Sequence, residues 1–155
     1  MDATTLLDLY RAKRLRIATA ESCTGGMIAA AITDIAGSSD VFDCGFVTYS
    51  NEAKIELIGV PAELIAHHGA VSVHVAKEMA VGALRRSKAD VAVAVTGVAG
   101  PSGGSDAKPV GLVYLAVVRR GAEPAIERHQ FHGDRAAVRQ ATVERALEML
   151  AEAAS

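Results

Sequence analysis

Residues 17–26, I-A-T-A-E-S-C-T-G-G, run a strand-like segment straight into the apolar helical run 27–32, M-I-A-A-A-I. A strand that passes into a helix within a few residues is the building unit of α/β folds, and it leaves a sharp turn at the junction. Gly25 and Gly26 let a ligand approach the backbone closely, while the first N–H groups of a helix lack intrahelical partners and carry the positive end of its dipole. Such a turn can hold a phosphate or stabilise an oxyanion. Ser22 is placed as a nucleophile, and Cys23 competes with it chemically, because a thiolate is stabilised at a helix N-terminus. The same residues also suit a plainer role, with Ser22 or Thr24 as an N-cap, the cysteine as a small buried hydrophobe and the glycines as packing positions.

The composition agrees with one α/β domain over residues 1–155: half of the residues are hydrophobic but only 4% are aromatic, so the core must come from Ala, Val, Ile and Leu. The net charge is −2 and the arginines are scattered, which excludes the basic footprint of a nucleic-acid partner. No apolar run approaches the roughly 20 residues of a membrane-spanning helix, so no membrane association is expected. Cys23 and Cys44 form no C-x-x-C pair, and the polar start M-D-A-T-T has no secretory leader, which points to a reducing cytoplasm. A homo-oligomer is compatible with all of this.

Read in order, Thr4 or Thr5 caps a first helix through about Lys13, and a first strand covers residues 16–20. A second helix starts near Thr24, buries Ile28, Ala31, Ile32 and Ile35, and ends at Gly37 as its C′ glycine. Residues 41–49 read as a strand interrupted at Gly45 by a bulge or bend. Asn51 then caps a short helix carrying Lys54, Ile55 and Ile58, which Gly59 stops before Pro61 opens another, ending at His67-His68-Gly69. Ser72 caps a longer helix, residues 90–96 form an unambiguous strand, and residues 110–119 and 125–131 form neighbouring strands turning near Gly121. Asp134 caps the terminal helix.

The loops 21–26, 49–54 and 96–109 each follow a predicted strand, and in open α/β sheets ligands gather beyond the carboxyl ends of strands. Neither glycine loop fits G-x-x-x-x-G-K-[ST], since Gly97 and Gly100 are each followed five residues later by serine, and G-x-G-x-x-G is absent. A metal site is not expected: His129 and His132 would point to opposite faces of a strand, and His67 and His68 cannot share a helix face. G-x-S-x-G is missing and no histidine is tied to the turn around Ser22, which leaves a lysine as the candidate base. Lys54 can take that part only if it is held largely neutral; otherwise it is a solvated surface lysine.

Seven ordered blocks carry a closer resemblance: A-E-S-C-T-G-G (20–26), T-D-I-A-G-S-S (33–39), G-F-V-T-Y-S-N-E-A-K (45–54), H-G-A-V-S (68–72), T-G-V-A-G-P-S-G-G (96–104), K-P-V-G (108–111) and G-D-R (133–135). From about Leu6 to Leu150 the chain resembles the CinA C-terminal domain family, and the additional N-terminal domain of two-domain members has no counterpart in it. The resemblance implies a three-layer α/β/α domain with a mostly parallel or mixed sheet. It implies hydrolysis of the carboxamide of nicotinamide mononucleotide to nicotinate mononucleotide and ammonia, within pyridine nucleotide recycling and without a cofactor. By the same resemblance Ser22 falls on the nucleophile, Lys54 on the catalytic lysine and Tyr49 beside that pair. Thr24, Gly25, Gly26, Asn51, Thr96, Gly97 and Gly100 fall on substrate-holding loops, and Arg135 or Arg139 is the candidate for the phosphate. The competing expectation is a nucleotide-binding regulatory module linked to competence or DNA damage, for which a lysine paired with Ser22 would have no use.

Overall fold

The computed structural model describes all 155 residues. The elements follow in the order α1 (Ala3–Lys13), β1 (Ile17–Glu21), α2 (Met27–Thr33), a 3-10 turn (Ser38–Asp40), β2 (Phe42–Val47), α3 (Asn51–Ile58), α4 (Ala62–His68), α5 (Val73–Arg85), β3 (Val91–Gly97), β4 (Leu112–Arg119), β5 (Ala125–Gln130) and α6 (Arg135–Ala154). One five-stranded sheet has the order β2-β1-β3-β4-β5. β1 is parallel to both β2 and β3, and the pairs β3–β4 and β4–β5 are antiparallel. The sheet is therefore mixed, and the carboxyl ends of its three parallel strands open at the same edge.

The alternation of V-A-V-A-V in β3 sorts the two helical layers. Val91, Val93 and Val95 enter one apolar cluster with Leu6, Leu7 and Tyr10 of α1, Ile28 and Ile32 of α2, and Val138, Leu147 and Leu150 of α6. Ala92 and Ala94 enter the other, with Ile58 of α3, Ile65 of α4 and Val75, Met79 and Ala83 of α5. Period-two alternation sends successive side chains to opposite faces, so branched side chains fill the α1/α6 side while small ones let α5 lie close to the sheet. The α/β/α layering expected from the family resemblance is the observed architecture.

Several boundaries differ from the sequence expectation, each for a local reason. Asp2, not Thr4 or Thr5, caps α1, its carboxylate accepting from the Thr5 N–H at 2.7 Å. α2 begins at Met27 and ends at Thr33, so Gly37 is no C′ residue; at φ 81° it starts the 3-10 turn instead. Ser50, not Asn51, caps α3, accepting from the Ala53 N–H at 3.0 Å. The register shift in β2 falls at Asp43, between the partners of Ile17 and Ala18, and Gly45 pairs regularly with Thr19. Glycine is needed there for another reason: a Cβ would lie 2.6 Å from Thr19 Oγ1. Ser72 and Asp134 cap α5 and α6 as expected.

Gly82 of α5 sets the position of α3. A Cβ at this residue would stand 1.9 Å from the Ile58 carbonyl oxygen, one turn after Lys54. Gly82→Ala is expected to lower stability by about 1–3 kcal/mol, the usual range for overpacking a core, and to slow turnover by shifting α3. Urea denaturation checks the first part; an unchanged midpoint would show that α3 moves aside without strain.

Candidate active site

The chain leaves the sheet at Ser22, whose N–H still donates to the Val95 carbonyl at 3.1 Å. Glu21, only 1% exposed, turns its carboxylate forward under the turn. It accepts from Thr24 Oγ1 at 2.5 Å and from the N–H groups of Ile28 and Ala29 at 2.8 and 3.0 Å. The free donors of the α2 terminus, which the sequence offered to a phosphate or oxyanion, thus bind an internal anion. Met27 N–H donates to the Thr24 carbonyl and Gly25 N–H to the Ser22 carbonyl, whereas the N–H groups of Cys23 and Thr24 donate to no protein acceptor.

Lys54, the fourth residue of α3, is fully buried and points back toward this turn. Its Nζ lies 3.0 Å from Ser22 Oγ and donates to the Thr48 carbonyl at 2.8 Å and the Tyr49 carbonyl at 3.3 Å. Burial strips the ammonium of water and lowers its pKa from 10.5 to about 8, against the opposing pull of any negative charge on Cys23. Desolvation is the cause of the lowering. A neutral amine there can spend its N–H bonds on the two carbonyls and turn its lone pair to the Ser22 hydroxyl. Cys23, 5% exposed, is pushed up to about 11, chiefly by burial and further by Glu21. The expected thiolate stabilisation fails because α2 starts only at Met27 and burial raises the thiol pKa.

Ser22 and Lys54 form the floor of a cleft of about 360 Å³ at the carboxyl edge of the parallel strands. One wall is Tyr49 and Asn51; the other is the loop after β3, with Gly97, Gly100, Ser102 and Gly103. Thr96, buried, donates from its Oγ1 to the Ala70 carbonyl at 2.9 Å and so holds the turn after α4 against the cleft. Lys108 donates to the His68 carbonyl from the far end of the same loop. Arg135, at the start of α6, bridges the walls, donating to the Gly100 carbonyl at 2.9 Å and to the Tyr49 hydroxyl at 3.2 Å.

A buried lysine within hydrogen-bond distance of a serine, at the mouth of such a sheet, can be compared with known proteins. The model of the CinA C-terminal domain matches residues 2–154. The chain belongs to the CinA C-terminal domain family. It is 54% identical to nicotinamide-nucleotide amidohydrolase PncC of Escherichia coli K12 over 140 residues, 90% of this chain and 85% of that protein. It is also 54% identical to a CinA-like protein of Geobacter sulfurreducens, of which it spans only 35%. Among solved structures, the competence/damage inducible protein CihA of Agrobacterium tumefaciens superposes with a TM-score of 0.94 at 51% identity, covering 96% of this chain and 90% of that one.

In this CinA-domain chain the cleft gathers Ser22, Lys54, Tyr49, Asn51, Thr96, Gly97, Gly100 and Arg135. Thr24, Gly25 and Gly26 do not line it, and the Thr24 hydroxyl is committed to Glu21. Arg139 faces an adjoining basin and donates to the Cys23 and Thr24 carbonyls at 3.1 and 3.2 Å. Sequence reasoning missed Ala70, Val71, Val98, Ala99, Ser102 and Gly103 as cleft residues, although all six lie inside quoted sequence blocks. It also passed over Glu21, whose signal was an acid at the end of a buried strand. The histidines stand elsewhere: His68 stacks on His74, and His132 lies beyond β5, so the opposite-faces argument for His129 and His132 does not apply. No group of three or more His, Cys, Asp or Glu side chains is placed to hold a metal.

Proposed function

We propose that this chain deamidates nicotinamide mononucleotide to nicotinate mononucleotide and ammonia by a Ser-Lys mechanism. The observation that carries the reading is the buried Lys54 Nζ at 3.0 Å from Ser22 Oγ, in a chain 54% identical to an enzyme named for that activity. Neutral Lys54 accepts the Ser22 proton as Oγ attacks the amide carbon, already electrophilic beside a cationic ring. The tetrahedral oxyanion is held by the N–H group of Cys23, which lines the cleft and which the turn leaves without a partner. As the C–N bond breaks, ammonia departs with the proton that Lys54 acquired. Water, deprotonated by the same lysine, then cleaves the acyl-serine ester and returns the proton to Oγ, a variant of triad logic.

Substrate binding is assigned to the walls. Tyr49 and Asn51 on one side, and Thr96, Gly97 and Gly100 on the other, border the space for the ring and ribose. Arg135 is the candidate for the phosphate, since it lines the cleft and Arg139 does not. Both nucleophile and base come from side chains, so the reaction calls on no cofactor. A reducing cytoplasm and a role in pyridine nucleotide recycling follow from the substrate; no helix of the chain is long and apolar enough to cross a membrane. The regulatory-module alternative leaves the desolvated lysine unexplained.

Ammonia release over pyridine nucleotides and simple amides tests this directly. Nicotinamide mononucleotide should be hydrolysed with a kcat/KM roughly 10–100-fold or more above that of free nicotinamide, as charge-assisted bonds to one phosphate allow. Equal values for the two would remove the phosphate pocket from the reading.

A further inference from the structure

We infer that Lys54, besides serving as the base, is the counter-ion that retains the carboxylate product in the cleft and makes that product an inhibitor of its own formation. Of the residues lining the cleft, only Lys54 and Arg135 carry charge, and none is acidic. The Glu21 carboxylate, one residue before the nucleophile, is taken up by Thr24 Oγ1 and the N–H groups of Ile28 and Ala29. The Cys23 thiol, which also lines the cleft, stays neutral with its pKa pushed up to about 11. Lys54 Nζ meets only neutral oxygens: the Thr48 and Tyr49 carbonyls at 2.8 and 3.3 Å and Ser22 Oγ at 3.0 Å. An ammonium has three N–H bonds, so two serve the carbonyls and the third serves Ser22 Oγ. The carbon that Oγ attacks must come within about 3–3.5 Å of it, which brings the carboxyl oxygens of the product within reach of that third N–H.

The substrate amide is neutral at this point and the product is not. Deacylation turns the acyl ester and water into a carboxylic acid and the Ser22 hydroxyl. A carboxyl group ionises near pH ~4, so its proton passes to the neutral amine and leaves carboxylate and ammonium side by side. A charge-assisted bond of this kind is stronger than the bond the same nitrogen makes to an amide. Below about pH 8 the ammonium is also the main form of the free enzyme, so product arriving from solution finds its partner already charged. The protonation that idles the base thus tightens the product, and turnover at neutral pH depends on a following reaction that consumes the acid. Arg135, proposed for the phosphate that substrate and product share, does not distinguish them. The inference rests on the amidase reading above.

The test measures calorimetric affinities of Ser22→Ala, which binds without turnover, for nicotinamide mononucleotide and nicotinate mononucleotide. At about pH 6.5 the acid should bind about 10–100-fold more tightly than the amide, the range for a bond between charged groups. The gap should shrink by about tenfold per pH unit above about 8 until it closes, because the amine that remains has no charge to offer. The phosphate titrates alike in both ligands and cancels from the ratio. In Ser22→Ala/Lys54→Met the two affinities should agree within about threefold at every pH. If the Met variant does not fold, the pH series on Ser22→Ala decides alone. Added acid should also slow ammonia release by the wild type competitively, more strongly at about pH 6.5 than at about pH 9.5. Equal affinities in Ser22→Ala, a gap that persists without Lys54 or does not change with pH, or no inhibition by the acid overturns the inference while ammonia release leaves the amidase reading standing. A wild-type protein that releases no ammonia overturns that reading and the inference with it.

Discussion

Ser22→Ala is expected to abolish ammonia release, by on the order of 10⁴-fold or more, while Cys23→Ala retains most of it. Removal of the attacking oxygen leaves only binding and oxyanion stabilisation, and neither forms a covalent bond. The neighbouring thiol cannot substitute. It is 5% exposed and its pKa is pushed up to about 11, so the thiolate is scarce at neutral pH. Ser22→Ala should keep the wild-type stability to within about 1 kcal/mol, whereas Cys23→Ala should lose about 1–2 kcal/mol through a small cavity. Mass spectrometry of the trapped acyl-enzyme checks the assignment independently, since the adduct should map to Ser22. An active Ser22→Ala protein that loses activity on a second substitution at Cys23 would make this a thiol amidase.

Lys54 carries the second large effect, and its sign follows from burial. Desolvation disfavours the ammonium and lowers the pKa from 10.5 to about 8. Below that value the lysine is mostly protonated and cannot take the Ser22 proton; above it the neutral amine predominates. The rate limb in kcat/KM should therefore rise with pH, bend near 8, and flatten instead of continuing toward the unperturbed lysine value. Lys54→Arg should lose at least about 10³-fold, because arginine stays protonated and is larger than the fully buried side chain it replaces. Lys54→Met should lose a similar factor and the limb as well. Near wild-type turnover in Lys54→Arg, or an unaltered pH profile in Lys54→Met, would mean that the base lies elsewhere.

Local rules carried much of the fold. The caps Ser72 and Asp134, the stops at Gly59 and Gly69 and the alternation in β3 are each decided within a few residues by side chain and backbone chemistry, and each stands where the sequence put it. Where two adjacent residues compete for one cap, as Ser50 and Asn51 do, composition alone does not choose; the Ala53 N–H selects the residue three positions earlier. The shortening of α2 is different in kind. Its start at Met27 goes with Glu21 and Gly26, the former accepting the first-turn N–H groups and the latter adopting φ 107°.

The sequence by itself determined the α/β class and the three loops that had to meet at one edge, because strands alternating with helices leave few other arrangements, while the layering was legible only through the family resemblance. It placed Ser22, Tyr49, Asn51, Lys54, Thr96 and Arg135 among the candidates without deciding what any of them touches. Tertiary structure decided that Lys54 is a desolvated amine beside Ser22 and not a surface charge, since burial of its Nζ depends on residues 32 positions away. It also gave Arg139, a phosphate candidate, the Cys23 and Thr24 carbonyls as partners, 116 and 115 positions distant. The reason is common to both. A long cationic side chain has several partners within reach, and which one it takes is set by the dielectric and the acceptors that the packed chain presents, neither of which is a local property of the sequence.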